Sequence, residues 1–175
     1  IEVIGQRMLD MHADLHIRLW VMIESAEAIF NVRELAAMAG DSETRLTGFI
    51  LGTNDLAQYV LAADRGNDAL DNIYSPLQPA LLRLLSHVIS TGRRAGKPVS
   101  LCGEIGGDVN FTAMLRALGL CEFSMHPSQI LNVRDRLATL DRGALRHHAP
   151  RLLRAHTHEQ VAGVLAEISD ANAAA

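Results

Sequence analysis

The sequence predicts an α/β fold built from successive β/α units, on three observations. Short apolar runs that read as buried parallel strands recur along the chain, amphipathic helical patterns separate them, and the first three runs end in reactive side chains. Those runs are Leu19-Trp20-Val21-Met22-Ile23-Glu24, Gly48-Phe49-Ile50-Leu51-Gly52-Thr53-Asn54-Asp55 and Val99-Ser100-Leu101-Cys102-Gly103-Glu104. Glu24, Asp55 and Cys102 therefore fall at strand carboxyl ends, the rim on which chemistry collects in barrels and open α/β sheets alike.

Each element has its own signal. Residues 1–13 read as a helix, because Ile1, Ile4, Met8 and Met11 share a face at steps of three and four. A start inside a helical pattern, at Ile1 rather than Met, leads us to expect that the native polypeptide extends amino-terminally. The first strand spans Arg18 to Ile23. A helix follows from Ala26 to Ala39, with Ser25 as N-cap and Ile29, Val32, Leu35 and Ala36 facing inward. The second strand, Leu46 to Leu51, leads into Thr53-Asn54-Asp55 and then a long polar-rich connection through Asp64-Arg65-Gly66-Asn67-Asp68 and Ser75-Pro76. Connections of that length are usually functional.

A second strong helix opens near Pro79, buries Leu81, Leu84, Leu85 and Val88, and places Arg93 and Arg94 in its last turn, where they oppose the dipole, before Gly96 stops it. The third strand is Val99 to Cys102. Gly103 and Gly106-Gly107 are turn signals, too short for a dinucleotide fingerprint, and Asp108 caps a helix carrying Phe111, Met114, Leu115 and Leu118 that Gly119 closes. A short fourth strand, Cys121 to Met125, precedes a helix opened by Pro127 with Ile130, Val133, Leu137 and Leu140 in phase. The Thr157-x-x-Gln160 capping box starts a terminal helix with Val161, Val164, Leu165 and Ile168. The organisation is thus a helix over 1–13, four β/α units over 15–140 and a helical tail over 141–175. Four such units suit a small open sheet or half of an eight-stranded barrel, since right-handed crossovers are common to both. A half barrel would leave two strand edges to be covered.

Composition narrows the function classes. A chain of 175 residues, 49% hydrophobic and 21% charged, can bury a core as one globular domain. A net charge of −4 and the lack of Lys/Arg blocks argue against nucleic-acid binding. No apolar run approaches the roughly 20 residues that span a bilayer, and no signal-peptide pattern opens the chain, so a cytoplasmic address is expected. Cys102 and Cys121 form neither a disulfide framework nor a Cys-x-x-Cys pattern and are expected as reduced thiols.

The candidate groups each have a chemistry and a bland alternative. Glu24 and Asp55 are the hard oxygen ligands that Mg²⁺ prefers, with substrate oxygens and water completing an octahedron; otherwise Asp55 caps a turn and Glu24 pairs with an arginine. Cys102 is a reactive thiol before glycine turns or a small buried hydrophobe. Arg65 is a bidentate phosphate clamp or a solvated ion-pair partner. Of the eight histidines, His147, His148, His156 and His158 read as surface residues, none forms a His-Glu-x-x-His pattern, and His126 alone stands near the predicted active rim.

Four segments carry a family resemblance. Leu51-Gly-Thr-Asn-Asp-Leu-Ala-Gln-Tyr-Val-Leu-Ala-Ala-Asp-Arg-Gly-Asn-Asp68, Tyr74-Ser-Pro-Leu-Gln-Pro79, Leu101-Cys-Gly-Glu-Ile-Gly-Gly-Asp108 and Glu122-Phe-Ser-Met125 resemble enzyme I of the phosphoenolpyruvate-dependent sugar phosphotransferase system. The likeness runs in order from about residue 17 to about 136. Pyruvate phosphate dikinase and phosphoenolpyruvate synthase share the Gly-Thr-Asn-Asp and Cys-Gly-Glu elements, whereas Ala63-Asp-Arg-Gly-Asn67 and Phe123-Ser-Met125 favour enzyme I.

The resemblance implies the last four β/α units of a TIM-type (β/α)8 barrel, plus C-terminal helices, in a domain that binds phosphoenolpyruvate. By the matching motifs, Glu24 and Asp55 would hold Mg²⁺. Asn54, Arg65 and Asp55 would lie at the substrate, with Asn54 and Arg65 on its phosphate end, and Cys102 would protonate the enolate carbon to give pyruvate. The implied partners are a phosphocarrier protein, met through an amino-terminal domain that carries the acceptor histidine, and a second copy in a homodimer. No Thr-Ser-His-type acceptor segment occurs in these residues, so the fragment alone is expected not to complete the reaction. Ser25-Ala26-Glu27 replaces the family's usual proline and small residues after the metal glutamate, and its extra carboxylate is expected to weaken phosphate binding. Trp20-Val-Met-Ile-Glu-Ser25 with Arg45-Leu-Thr-Gly-Phe49 also resembles the citrate lyase β-subunit and related metal-dependent aldolases. A non-catalytic dimerisation module is the third reading.

Overall fold

The computed structural model describes residues 18–38, 46–64, 66–70 and 73–173. The expected helix over 1–13 and the side chain of Arg65 lie outside them. Four strands form one parallel sheet, β1 (Leu19–Ile23), β2 (Leu46–Gly52), β3 (Val99–Cys102) and β4 (Glu122–Phe123), in the order β1-β2-β3-β4. An open doubly wound sheet reverses its strand order at a switch point. Here the spatial order follows the chain without reversal, as consecutive units of a barrel do.

The strand period of two sorts the side chains by face. The register aligns Ile23 with Leu51 and Leu51 with Leu101, and Phe49 with Val99, placing these on one face, where all five are buried. The helices are α1 (Ala26–Phe30), α2 (Val32–Met38), α3 (Thr53–Leu61), α4 (Pro79–Arg94), α5 (Glu104–Gly107), α6 (Val109–Ala117), α7 (Ile130–Thr139), α8 (Arg142–Arg154) and α9 (His158–Ala173); α3, α4 and α5 make the main contacts with the strands. The helix α4 lies on β2 and β3 through Leu81, Leu82, Leu85 and Val88, and α8 packs on both α4 and α6. Arg83 fastens α4 to the end of α8: Nε donates to the Leu153 carbonyl at 3.0 Å and Nη2 to that of Ala155 at 2.7 Å. Those are carbonyls that a helix end cannot satisfy itself.

Several expectations are met and several are corrected. The Ser25 hydroxyl accepts from Ala28 N at 3.2 Å and Asp108 accepts from Asn110 N at 2.9 Å, so both caps form. The single helix expected over 26–39 is instead two, interrupted at Asn31, which caps α1 with backbone outside the helical region. The connection after the second strand is not all loop. It begins with α3, whose Leu56 and Ala57 are buried, and contains a 3₁₀ turn at Asp68–Leu70. The fourth strand shrinks to Glu122–Phe123, and Pro127 opens a 3₁₀ turn that runs into α7, on which Val133 is buried while Ile130 is 48% exposed. In the tail, Thr157 Oγ1 accepts from Gln160 N at 3.3 Å, and Gln160 Oε1 accepts from His156 N at 2.8 Å, one residue earlier than a capping box requires.

Candidate functional site

The rim at the carboxyl ends of β1, β2 and β3 gathers the acidic and thiol groups. Gly52, the last residue of β2, pairs in register with Cys102, the last of β3. Glu24, directly after β1, leans over Gly52: a Cβ built on that glycine would stand 2.9 Å from Glu24 Oε2 and 3.0 Å from its Cβ. Only a glycine leaves the carboxylate that space. Asp55 follows in the first turn of α3, on the exposed side, with Asn54 half-buried beside it.

The β3 end is held in place by hydrogen bonds to α3. Thr53 Oγ1 donates to the Cys102 carbonyl at 2.9 Å, Glu104 N donates to Asn54 Oδ1 at 3.4 Å, and Tyr74 Oη donates to the Asn54 carbonyl at 3.1 Å. Between them Gly103 has φ of +109°, and a side chain there would fall on the Thr53 hydroxyl. The turn that presents Cys102 is thus available to glycine alone.

Cys102 is half-buried, and its Sγ donates weakly to the Leu51 carbonyl at 3.5 Å. Its pKa is raised, first by burial and then by the negative charges of Glu24 and Asp55, against an opposing backbone hydrogen bond. All three groups therefore share one electrostatic environment. Beside Cys102 opens a cavity of ≈ 410 Å³ lined by Asn54, Cys102, Gly103, Glu104, Ser124, Met125, His126 and Gln129.

The structure brings Glu24, Asn54, Asp55 and Cys102 together, while Arg65 is outside the described residues. His126 lines the same cavity, as its place after the fourth strand suggested, with Nδ1 2.9 Å from Ser128 Oγ. Thr53 and Tyr74 escaped the sequence reading as positioning groups, although both sit within the motif segments. A polar residue at a strand end and a tyrosine just before Ser75-Pro76 were the available signals. Both cysteines are free thiols. Among the described residues no helix is long and apolar enough to cross a membrane.

The donor set is selective about metals. Among the described residues no cation pairs with Glu24 or Asp55, and no cluster of three or more His, Cys, Asp or Glu forms. Zinc sites recruit three or four protein ligands of nitrogen or sulfur. Two carboxylates following neighbouring strands, Glu24 after β1 and Asp55 after β2, are the kind of donor set Mg²⁺ takes, since it keeps waters and substrate oxygens in its shell.

Comparison with known proteins follows the same residues. A family model described as "PEP-utilising enzyme, PEP-binding domain" matches residues 2–142. The chain belongs to that family. Among curated relatives, a phosphoenolpyruvate-protein phosphotransferase of Cupriavidus necator is 40% identical over 119 residues, 68% of this chain and 20% of the relative. One from Geobacillus stearothermophilus is 48% identical over 105 residues, 60% of this chain and 18% of the relative. A third, from Buchnera aphidicola, is 32% identical over 152 residues, 87% of this chain and 25% of the relative. The chain thus spans about a fifth to a quarter of the length of these relatives.

Proposed function

We propose that this PEP-binding domain acts within a phosphoenolpyruvate-protein phosphotransferase, where it binds phosphoenolpyruvate and Mg²⁺ while the phosphoryl group passes to a histidine outside this chain. The observation that supports the reading is the placement of Glu24 over Gly52 and of Gly52 in register with Cys102, which sets a carboxylate and a thiol at neighbouring strand ends, where burial and the charges of Glu24 and Asp55 raise the thiol pKa.

Glu24 and Asp55 would hold Mg²⁺, which when bound supplies positive charge against the phosphate and the developing enolate. Asn54 stands in the first turn of α3, where backbone N–H groups lack helical partners and favour an anion. With Arg65, it would bind the phosphate end. The bond between phosphorus and the enol oxygen breaks, phosphorus bonds to the acceptor histidine nitrogen, and the electron pair left on oxygen makes an enolate. Cys102 then gives its proton to the terminal carbon, pyruvate forms, and water reprotonates the thiolate. A thiol whose pKa is raised remains protonated at neutral pH, as a proton donor must. A cytoplasmic setting, a phosphocarrier partner, a homodimer and closure of a full barrel by a preceding half belong to the same proposal, as does the division into units over 15–140 and a tail over 141–175.

The test uses the longer polypeptide that carries the acceptor histidine. Calorimetry should find phosphoenolpyruvate binding that requires Mg²⁺, weakened by Glu24→Gln and by Asp55→Asn. Cys102→Ala should spare histidine phosphorylation more than pyruvate formation, because enolpyruvate released unprotonated must wait for solvent. Equal loss of both activities overturns the role given to the thiol. Binding of an acyl-CoA in place of phosphoenolpyruvate would point to a lyase, and binding of neither to a scaffold.

A further inference from the structure

At the opposite end of the sheet, before β4, three arginines from three helices meet at one cavity. It measures ≈ 230 Å³ and is lined by Arg93, Arg116, Arg146, Gly119, Cys121 and Leu145 together with Ala117. The lining contains no acidic side chain. Glu122, one residue after Cys121, aligns with Ser100 and so belongs to the other face of the sheet, away from the buried Leu101 side.

Helix-end electrostatics accounts for part of this cluster only. Arg93 and Arg116 occupy the last turns of α4 and α6, where cations oppose the dipole. Arg116 is also engaged: Nη1 donates to the Leu120 carbonyl at 2.9 Å and to Cys121 Sγ at 3.3 Å. Arg146, however, lies in the first half of α8, where no dipole argument applies. Among the described residues neither Arg93 nor Arg146 has a hydrogen-bond or ion-pair partner, and both are exposed. Three arginines lining one hollow with no acidic side chain among them set like charges near one another, and an anion held there would relieve that repulsion. Their planar forks match tetrahedral phosphate oxygens, and a monocarboxylate has too few oxygens to serve three of them.

We propose that Arg93, Arg116 and Arg146 form a binding site for the phosphate group of a small molecule, remote from the catalytic rim, with Cys121 at its wall. The site does not depend on the activity proposed above. Cys121 is exposed, so it reports occupancy directly.

The experiment measures iodoacetamide labelling of the folded chain by peptide mass mapping, with inorganic phosphate, glycerol 3-phosphate or chloride at equal ionic strength. Either phosphate compound should slow Cys121 labelling at least fivefold relative to chloride, and the stronger protector identifies the source as free phosphate or a phosphomonoester. The double variant Arg93→Gln/Arg146→Gln should lose the protection while keeping its far-ultraviolet circular dichroism, since neither side chain bonds to the fold. Double Lys variants at the same positions should regain part of it. Equal labelling rates in phosphate, glycerol 3-phosphate and chloride, or protection undiminished in the Gln variant, would overturn the site. Labelling of Cys121 in the urea-unfolded chain, where no folded site exists, serves as the reference.

Discussion

The two faces of the sheet are made by the same strands and do different work. On the helix-covered face Ile23, Phe49, Leu51 and Leu101 are fully buried and Val99 nearly so. On the other face, Met22 is 46% exposed and Ile50, Ser100 and Cys102 are half-buried. Alternation along each strand therefore separates cohesion from the proposed chemistry. The covered face supplies apolar burial, and the open face ends in Glu24, Gly52 and Cys102. A mutation on one face should be felt as lost stability and on the other as lost function.

The sharpest way to break that comparison is a pair of truncations. Phe49→Ala removes a fully buried ring and should cost about 3–5 kcal/mol in urea unfolding. Met22→Ala, on the open face of the neighbouring strand, should cost within about 1 kcal/mol. Comparable losses would mean that something covers the open face and that the separation is false.

Gly103→Ala tests the join between the two functions. The substitution meets both a left-handed backbone and the Thr53 hydroxyl, so the Thr53 bond to the Cys102 carbonyl must break or the turn must shift. A loss of about 1–3 kcal/mol is expected from backbone strain, together with altered alkylation of Cys102. A neutral effect on both readouts would show that the turn relaxes freely and does not position the thiol.

How much of this was legible in the sequence follows from which interactions are local. The cap at Ser25, the cap at Asp108 and the helix from Pro79 are set by neighbours three or four residues away, and each forms as its local pattern implies. The helix α3 was hidden because it starts straight from a strand with Gly52 at its N-cap and no capping side chain, although Leu56 and Val60 were in phase. The bounds of α8 within the expected helical tail over 141–175 were blurred by its Arg and His content and by Pro150, which removes an internal hydrogen bond. Its stability is tertiary, through Leu145 and Leu152 buried against the other helices. At the site, residue types and strand ends pointed to Glu24, Asn54, Asp55 and Cys102. The packing of Glu24 over Gly52 and the bonds from Thr53 and Tyr74 join residues 20 to 49 positions apart, and no spacing rule encodes such pairs.

Gly52→Ala moves the comparison to a finer scale. The new methyl would press on Glu24 and displace its carboxylate, while Gly52 lies at the end of β2, where the ladder needs no further support. Mg²⁺ affinity, followed through the fluorescence of Trp20 on the open face, should fall about tenfold or more. Stability should change little. Unchanged affinity would remove Glu24 from the proposed metal site.

The smallest effect concerns the titration of Cys102. Burial, the larger cause, and the charges of Glu24 and Asp55 raise its pKa, so the folded chain holds the thiol proton more tightly than the unfolded chain does. The associated stability is fully present below the unfolded thiol's pKa and is lost as pH rises through the folded one. Its alkylation rate plotted against pH should accordingly reach its midpoint later in the folded protein than in the urea-unfolded chain. Glu24→Gln should move the midpoint part of the way back, because it removes one of the charges and leaves the burial. A folded midpoint at or below the unfolded one would show that the thiol is not kept as a neutral acid. It would then lose the physical basis for acting as proton donor, even if the acidic rim remained intact.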